Sequence, residues 1–150
     1  MMTKIYRPSP HPRLLIAALV VLVSGCIVVV EEDDDRRDRH RHLYAEWSVD
    51  IIVYKTETIS APEEDITVTF EESGRLFAAT DCSEITGSFE VDDSNVLTVS
   101  DVWTRDDCVR GSRTTDLLSR AISGAYSYEA DETALRISTS EDGLIGLSSR

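Results

Sequence analysis

The body of this sequence has no histidine: the three it contains are His11, His40 and His42. Beyond position 42 there can be no Ser-His-Asp set, no cysteine activated by an imidazole and no His-based metal centre. A G-x-S-x-G elbow is also missing. Gly74, Gly87, Gly111, Gly124, Gly143 and Gly146 stand singly, as turn residues do, so no glycine-rich loop is available to cradle a phosphate. No carboxylate group follows the EF-hand pattern. The pairs Asp92-Asp93, Asp131-Glu132 and Glu141-Asp142 fall at expected turns, where acidic side chains are ordinarily solvated surface. Positive charge is scarce as well. From Tyr44 onward 22 Asp and Glu face 8 Lys and Arg, a balance that repels phosphate backbones and argues against nucleic acid as a partner.

The first residues read as an address. Met1 to Arg13 is basic and holds Pro8, Pro10 and Pro12, which cannot lie inside a stable helix. Leu14 to Val23 is an apolar run the length of a signal-peptide core, too short to span a bilayer. It ends in Leu22-Val23-Ser24-Gly25-Cys26. This resembles the bacterial lipobox, in which a branched apolar residue and two small residues precede a cysteine. On this reading residues 1–25 are a leader cut between Gly25 and Cys26, and the Cys26 thiol receives the lipid. The rival is an uncleaved helix from Leu14 to Val30, at the short limit for spanning. Several acyl chains would give a durable anchor. The residue after the cysteine is Ile27 rather than Asp, which by the enteric sorting rule favours the periplasmic face of the outer membrane.

Residues 26–43 are expected to form a tether. Glu31 to His42 reads EEDDDRRDRHRH and carries no apolar side chain, so it should be disordered or loosely helical. His40 and His42 with Asp38 could chelate a metal weakly, but a solvated linker is the simpler reading.

Residues 44–150 alternate as short strands do. Trp47, Val49, Ile51 and Val53 point one way; Ile66 to Phe70, Arg75 to Ala79 and Thr86 to Val91 follow. Val96, Thr98, Ser100 and Val102 mark one face of a strand ending near Trp103. The period then changes: Leu117, Leu118, Ala121, Ile122 and Ala125 predict a helix from about Thr115 to Ser123. Ser112 or Thr114 would cap it and Gly124 would end it. Tyr126 to Tyr128, Leu135 to Thr139 and Leu144 to Leu147 are extended again, with Glu141-Asp142-Gly143 as a turn. The sum is an α+β fold, mostly antiparallel β: a curved sheet or open barrel of about eight short strands covered by one helix. Trp47, Trp103, Phe70 and Phe89 are the expected aromatic core.

Cys82-Ser83-Glu84-Ile85-Thr86-Gly87-Ser88-Phe89 resembles the G-C-N-x-x-x-G-x-Y segment of META domains, the HslJ-like family of heat-shock lipoproteins. Thr104-Arg105-Asp106-Asp107-Cys108 resembles the Thr-x-x-x-Cys that follows one strand later. An early Trp47, an I-x-V-x-F strand ending at Phe70, the Gly74 turn, a helix with Leu118 and Ile122, and a closing hairpin stand in the family's order. Cys82, Gly87, Thr104 and Cys108 are thus the motif positions, while Asp81 and Ser83 depart from the family's Gly and Asn. The resemblance implies an envelope-stress context, in general terms heat shock and novobiocin resistance, and no reaction. Lipocalin-like lipoproteins share the Trp start and the strand-turn-strand rhythm.

Once Cys26 is acylated, Cys82 and Cys108 are an even pair in an oxidising compartment, which reads as a disulfide. Two reduced buried thiols or a nucleophile are the alternatives; Asp81, Asp106 and Asp107 would oppose a thiolate. The expectation is a non-enzymatic lipoprotein without a cofactor. It would be held to the membrane by its lipid and engage an envelope protein or a small apolar ligand. A carrier would line a pocket with residues such as Ile51, Val68 and Leu97.

Overall fold

The computed structural model describes residues 39–62, 65–107 and 112–150. Nine antiparallel strands occur among them: β1 (Glu46–Tyr54), β2 (Glu57–Ser60), β3 (Thr67–Phe70), β4 (Arg75–Ala79), β5 (Ser83–Val91), β6 (Leu97–Asp106), β7 (Ala125–Ala130), β8 (Ala134–Thr139) and β9 (Gly143–Ser149). One helix, α1 (Arg113–Ser123), separates β6 from β7. The sheet order is β6-β5-β4-β3-β1-β9-β8-β7. β1 has nine residues and divides one edge between two partners: Glu46, Trp47 and Ser48 pair with β3, and Ile51 to Tyr54 pair with β2. Its other edge carries β9. The short β2 is absent from the sequence reading because four residues with a single buried-type side chain, Ile59, carry little periodicity.

The sheet curls into a half-barrel. Its two terminal strands approach until Val96 and Ser127 form one isolated bridge. The Tyr128 amide also donates to the Asn95 carbonyl at 3.1 Å. α1 packs against β1, β5, β6 and β9. Ser112 caps it by accepting from the Thr115 amide at 3.2 Å, and the Gly124 amide closes its end on Ala121 and Ile122. Leu117, Leu118, Ala121 and Ile122 are fully buried in a core with Trp47, Phe70, Ile85 and Phe89, and the Phe70 and Phe89 rings meet edge-on at 5.1 Å. Burial at roughly 25 cal/mol per Å² of apolar area is the main stabilising term of such a core.

Two bulges correct the expected faces. The β1–β9 register shifts between Val49 and Ile51, so one extra residue, Asp50, reverses the alternation. Trp47 and Val49 point inward as expected, but beyond the bulge Ile52 is the buried residue while Ile51 and Val53 are only half-buried. Gly146 makes room there, since a Cβ on it would lie 2.7 Å from Ile51. In β6 the left-handed Asp101 (φ 52°) lies opposite Gly87, where the β5–β6 register shifts. Leu97 and Val99 turn inward before it, and Val102 and Thr104 after it. Val96 (42% exposed), Thr98 and Ser100 share the outer face as one set, but the bulge moves Val102 off it to the inner side. Trp103, expected in the core, is 58% exposed on the outer face.

Part of the segment expected as a tether is buried against the sheet. Within the segment read as tether, His40 is 1% exposed and Leu43 is 0% exposed. Leu43 supplies the apolar side chain that Glu31 to His42 lacks, and its burial carries the preceding turn onto the barrel end. The Leu43 amide donates to the His40 carbonyl at 2.8 Å, closing that turn.

Candidate functional site

The described family-motif residues Gly87 and Thr104 lie on the β5–β6 hairpin, with Cys82 just before it. Gly87 sits opposite the Asp101 bulge, where a Cβ would come within 3.2 Å of the Ser100 carbonyl oxygen. The absence of a side chain is what allows the bulged strand to approach. Thr104 pairs with Ile85 across the hairpin. Its hydroxyl is 3.0 Å from the Ser119 hydroxyl, tying β6 to α1. Cys82 is half-buried at the start of β5. The turn before it is organised by Thr80, whose hydroxyl accepts from the Cys82 and Ser83 amides at 3.4 and 3.0 Å. Ser83 donates to the Asp106 carboxylate at 3.0 Å, and the Asp107 amide donates to the Cys82 carbonyl at 2.9 Å. Cys108, and the predicted processing residues Gly25 and Cys26, lie outside the described residues.

The other end of the hairpin is built by residues from three distant segments. Asp92 accepts from the Ser94 and Val96 amides at 2.8 and 3.0 Å and shapes the β5–β6 turn with left-handed Asn95 (φ 60°). Arg39 pairs with Asp93 at 2.9 Å. His40 Nδ1 shares a hydrogen bond with the Tyr128 hydroxyl of β7. Desolvation by burial pushes the Tyr128 hydroxyl up to about 12, with smaller contributions from Tyr44 and Asp92. His40 is thus occupied in the fold rather than offered to a metal with His42. Among the described residues no group of three or more His, Cys, Asp or Glu could hold a metal ion.

Beside this end lies an open trough of about 660 Å³. It exists because β5 outruns β4: the last β4–β5 pair is Arg75 with Ser88, so Phe89 to Val91 have no β4 residue beside them. Tyr44, Phe89, Glu72, Glu90, Ser73 and Ser88 line it. No local pattern marks this trough, because its walls come from the turn before β1, the β3–β4 turn and the end of β5. Only the Glu72-Ser73-Gly74 turn itself was visible.

The architecture is that of a curled antiparallel half-barrel with one packed helix, in which a two-stranded hairpin carries the motif residues. That places the chain by class. It belongs to the META domain family, whose model matches residues 42–148. Solved structures share the fold at low identity. A DUF4847-family protein from Bacteroides vulgatus is 12% identical, with a TM-score of 0.56, covering 75% of this chain and 97% of that one. A protein from Burkholderia xenovorans is also 12% identical, with a TM-score of 0.57, covering 75% and 86%. No curated protein sequence matches the chain.

Proposed function

We propose that this META-family chain is a cell-envelope lipoprotein, cut after Gly25 and lipidated on Cys26, whose domain acts by binding or structural contact rather than by catalysis. The observation that carries the anchoring is the run Leu14 to Val23 leading into Leu22-Val23-Ser24-Gly25-Cys26. The acidic body fits a solvated module on such an anchor, since it has no need to adsorb to anionic headgroups. Intact-mass analysis and membrane fractionation of wild type and Cys26→Ala test it. Wild type should lack residues 1–25, gain acyl mass and pellet with membranes, whereas the variant should keep its leader and gain no lipid. A native protein retaining Met1 and free of lipid would overturn the reading.

A binding role at the surface is favoured over an apolar carrier because Val68 and Leu97 are both 0% exposed within the packed core. The pairing of Cys82 with Cys108 belongs to the same proposal. In its support, the Asp107 amide, next to Cys108 in sequence, donates to the Cys82 carbonyl at 2.9 Å. Closing a loop of about 26 residues would stabilise the domain by roughly 3 kcal/mol. Thiol labelling of the non-reduced mature protein should find neither cysteine; two labelled cysteines would end the pairing.

A further inference from the structure

We infer that the outer face of the sheet around Trp103 and Phe77 is a binding platform for an extended, uncharged glycan chain. This deepens the binding role proposed above and rests on it. Four strands put one row of side chains on that face: Trp103 of β6 pairs with Thr86 of β5, Thr86 with Phe77 of β4, and Phe77 with Thr69 of β3. Trp103 is 58% exposed, and Thr86, Phe77 and Thr69 are half-buried. The two aromatic residues stand two strands apart, about 9–10 Å. In an extended β-1,4-linked chain successive sugars turn over, so every second one shows the same face, at a stride of that order.

The exposure of Trp103 is built into its strand. Leu97 and Val99 turn inward, and unbroken alternation would send Trp103 inward as well. The extra residue at Asp101, held left-handed at φ 52°, reverses the faces. Gly87 allows this, since a Cβ on it would lie 3.2 Å from the Ser100 carbonyl oxygen. A left-handed residue and a glycine thus turn a large apolar side chain toward water, an arrangement that costs stability and points to a ligand. The row itself is uncharged, on a domain with 22 acidic and 8 basic residues from Tyr44 onward. The charges beside it are already paired: Arg105 with Glu84 at 3.1 Å and with Asp107 at 3.3 Å, and Arg75 with Glu71 at 3.5 Å. An anionic guest would be repelled by the acidic body, as would a second copy of the chain or an anionic bilayer. A cationic guest finds Glu84 occupied. A neutral sugar meets neither obstacle. Its C–H face packs on aromatic rings, and its hydroxyls can bond the Thr86 and Thr69 hydroxyls and the remaining Arg105 donors.

The test is an amide- and indole-shift titration of the full chain in detergent. The probes are N-acetylglucosamine, its β-1,4-linked tetramer and the α-1,4-linked glucose tetramer. The β-linked tetramer should move the Trp103 indole and the Thr86 and Phe77 amides, and leave the buried Trp47 indole still. The monosaccharide and the curved α-linked tetramer should bind about tenfold more weakly, the scale of one lost ring contact. Trp103→Ala should abolish the shift at Thr86 with no change in the urea midpoint, and Trp103→Phe should restore part of it. Phe77→Leu, which keeps an apolar side chain, should weaken the β-linked tetramer about fivefold. Equal affinity for the monosaccharide and the β-linked tetramer would overturn the two-ring platform. No shift at these groups would overturn the site itself. A Trp103 indole already shielded before sugar is added would do the same. It would assign the face to a second copy if the mass in solution doubles, and to a lipid-like surface if it does not. Cys26→Ala should titrate identically, so a failure of anchoring is read separately from a failure of the platform.

Discussion

The two ends of the β5–β6 hairpin are built differently. The end at Asn95 is held from afar: Arg39 reaches Asp93, His40 reaches Tyr128 across 88 residues of sequence, and Val96 bridges Ser127. The end at Cys82 is held locally, by Thr80 on Ser83 and by Ser83 on Asp106. About 30 Å of strand separates them. The first end closes the barrel and joins it to the N-terminal segment. The second presents Trp103 to solvent. Side chains from distant segments secure the end where the sheet has to meet itself; at the other end the described hydrogen bonds stay within the hairpin and the turn before it.

Removing apolar volume at the remote end should break this contrast most. Leu43→Ala should lower stability by about 2–5 kcal/mol, read as a fall in the urea midpoint with an unchanged slope. A Cys82→Ala, Cys108→Ala double variant should lose roughly 3 kcal/mol at the other end. Equal loss on adding reductant to the wild type would tie that value to the bond. His40→Ala and Tyr128→Phe should each cost about 1–3 kcal/mol, since either leaves a buried polar partner behind. Their double-mutant cycle should show coupling of at least about 0.5 kcal/mol. Additive effects would mean the hydrogen bond does not hold the seam. At the exposed end, Trp103→Ser should change stability by no more than about 0.5 kcal/mol.

Alkaline titration sharpens the same comparison. The Tyr128 hydroxyl is raised above its ordinary 10.0 to about 12 by burial. A raised value favours the protonated, folded form. Its contribution is therefore complete below pH 10 and lost as pH climbs toward 12. Unfolding free energy followed over pH 9–12 should decline in wild type. The decline should be shallower in Tyr128→Phe. At the acid side Asp131 behaves oppositely. Its carboxyl is lowered by the Thr133 amide, then by the Thr133 hydroxyl and the Ala134 amide. Stability from this turn is present above the ordinary carboxylate range and fades as pH falls through the lowered value.

Local chemistry was legible in advance. The helix, its Ser112 and Gly124 ends, the strand Arg75–Ala79 and the turn at Glu141-Asp142, both left-handed at φ 64° and 56°, are written in neighbouring residues. So were the motif positions Gly87 and Thr104. The trough was not legible, because Tyr44, Glu72 and Glu90 belong to three separate elements. Trp103 was misplaced for a related reason: alternation assumes an unbroken ladder, and one bulged residue at Asp101 exchanges inside for outside.

By itself, then, the sequence determined the family, the succession of strands with one late helix, and the acidic character, since each depends on residue type and near neighbours. Only the tertiary structure decided which side of β1 and β6 faces inward, that His40 and Leu43 belong to the domain, and where a trough opens. Those outcomes turn on strand register and on partners dozens of residues away, which no local pattern encodes.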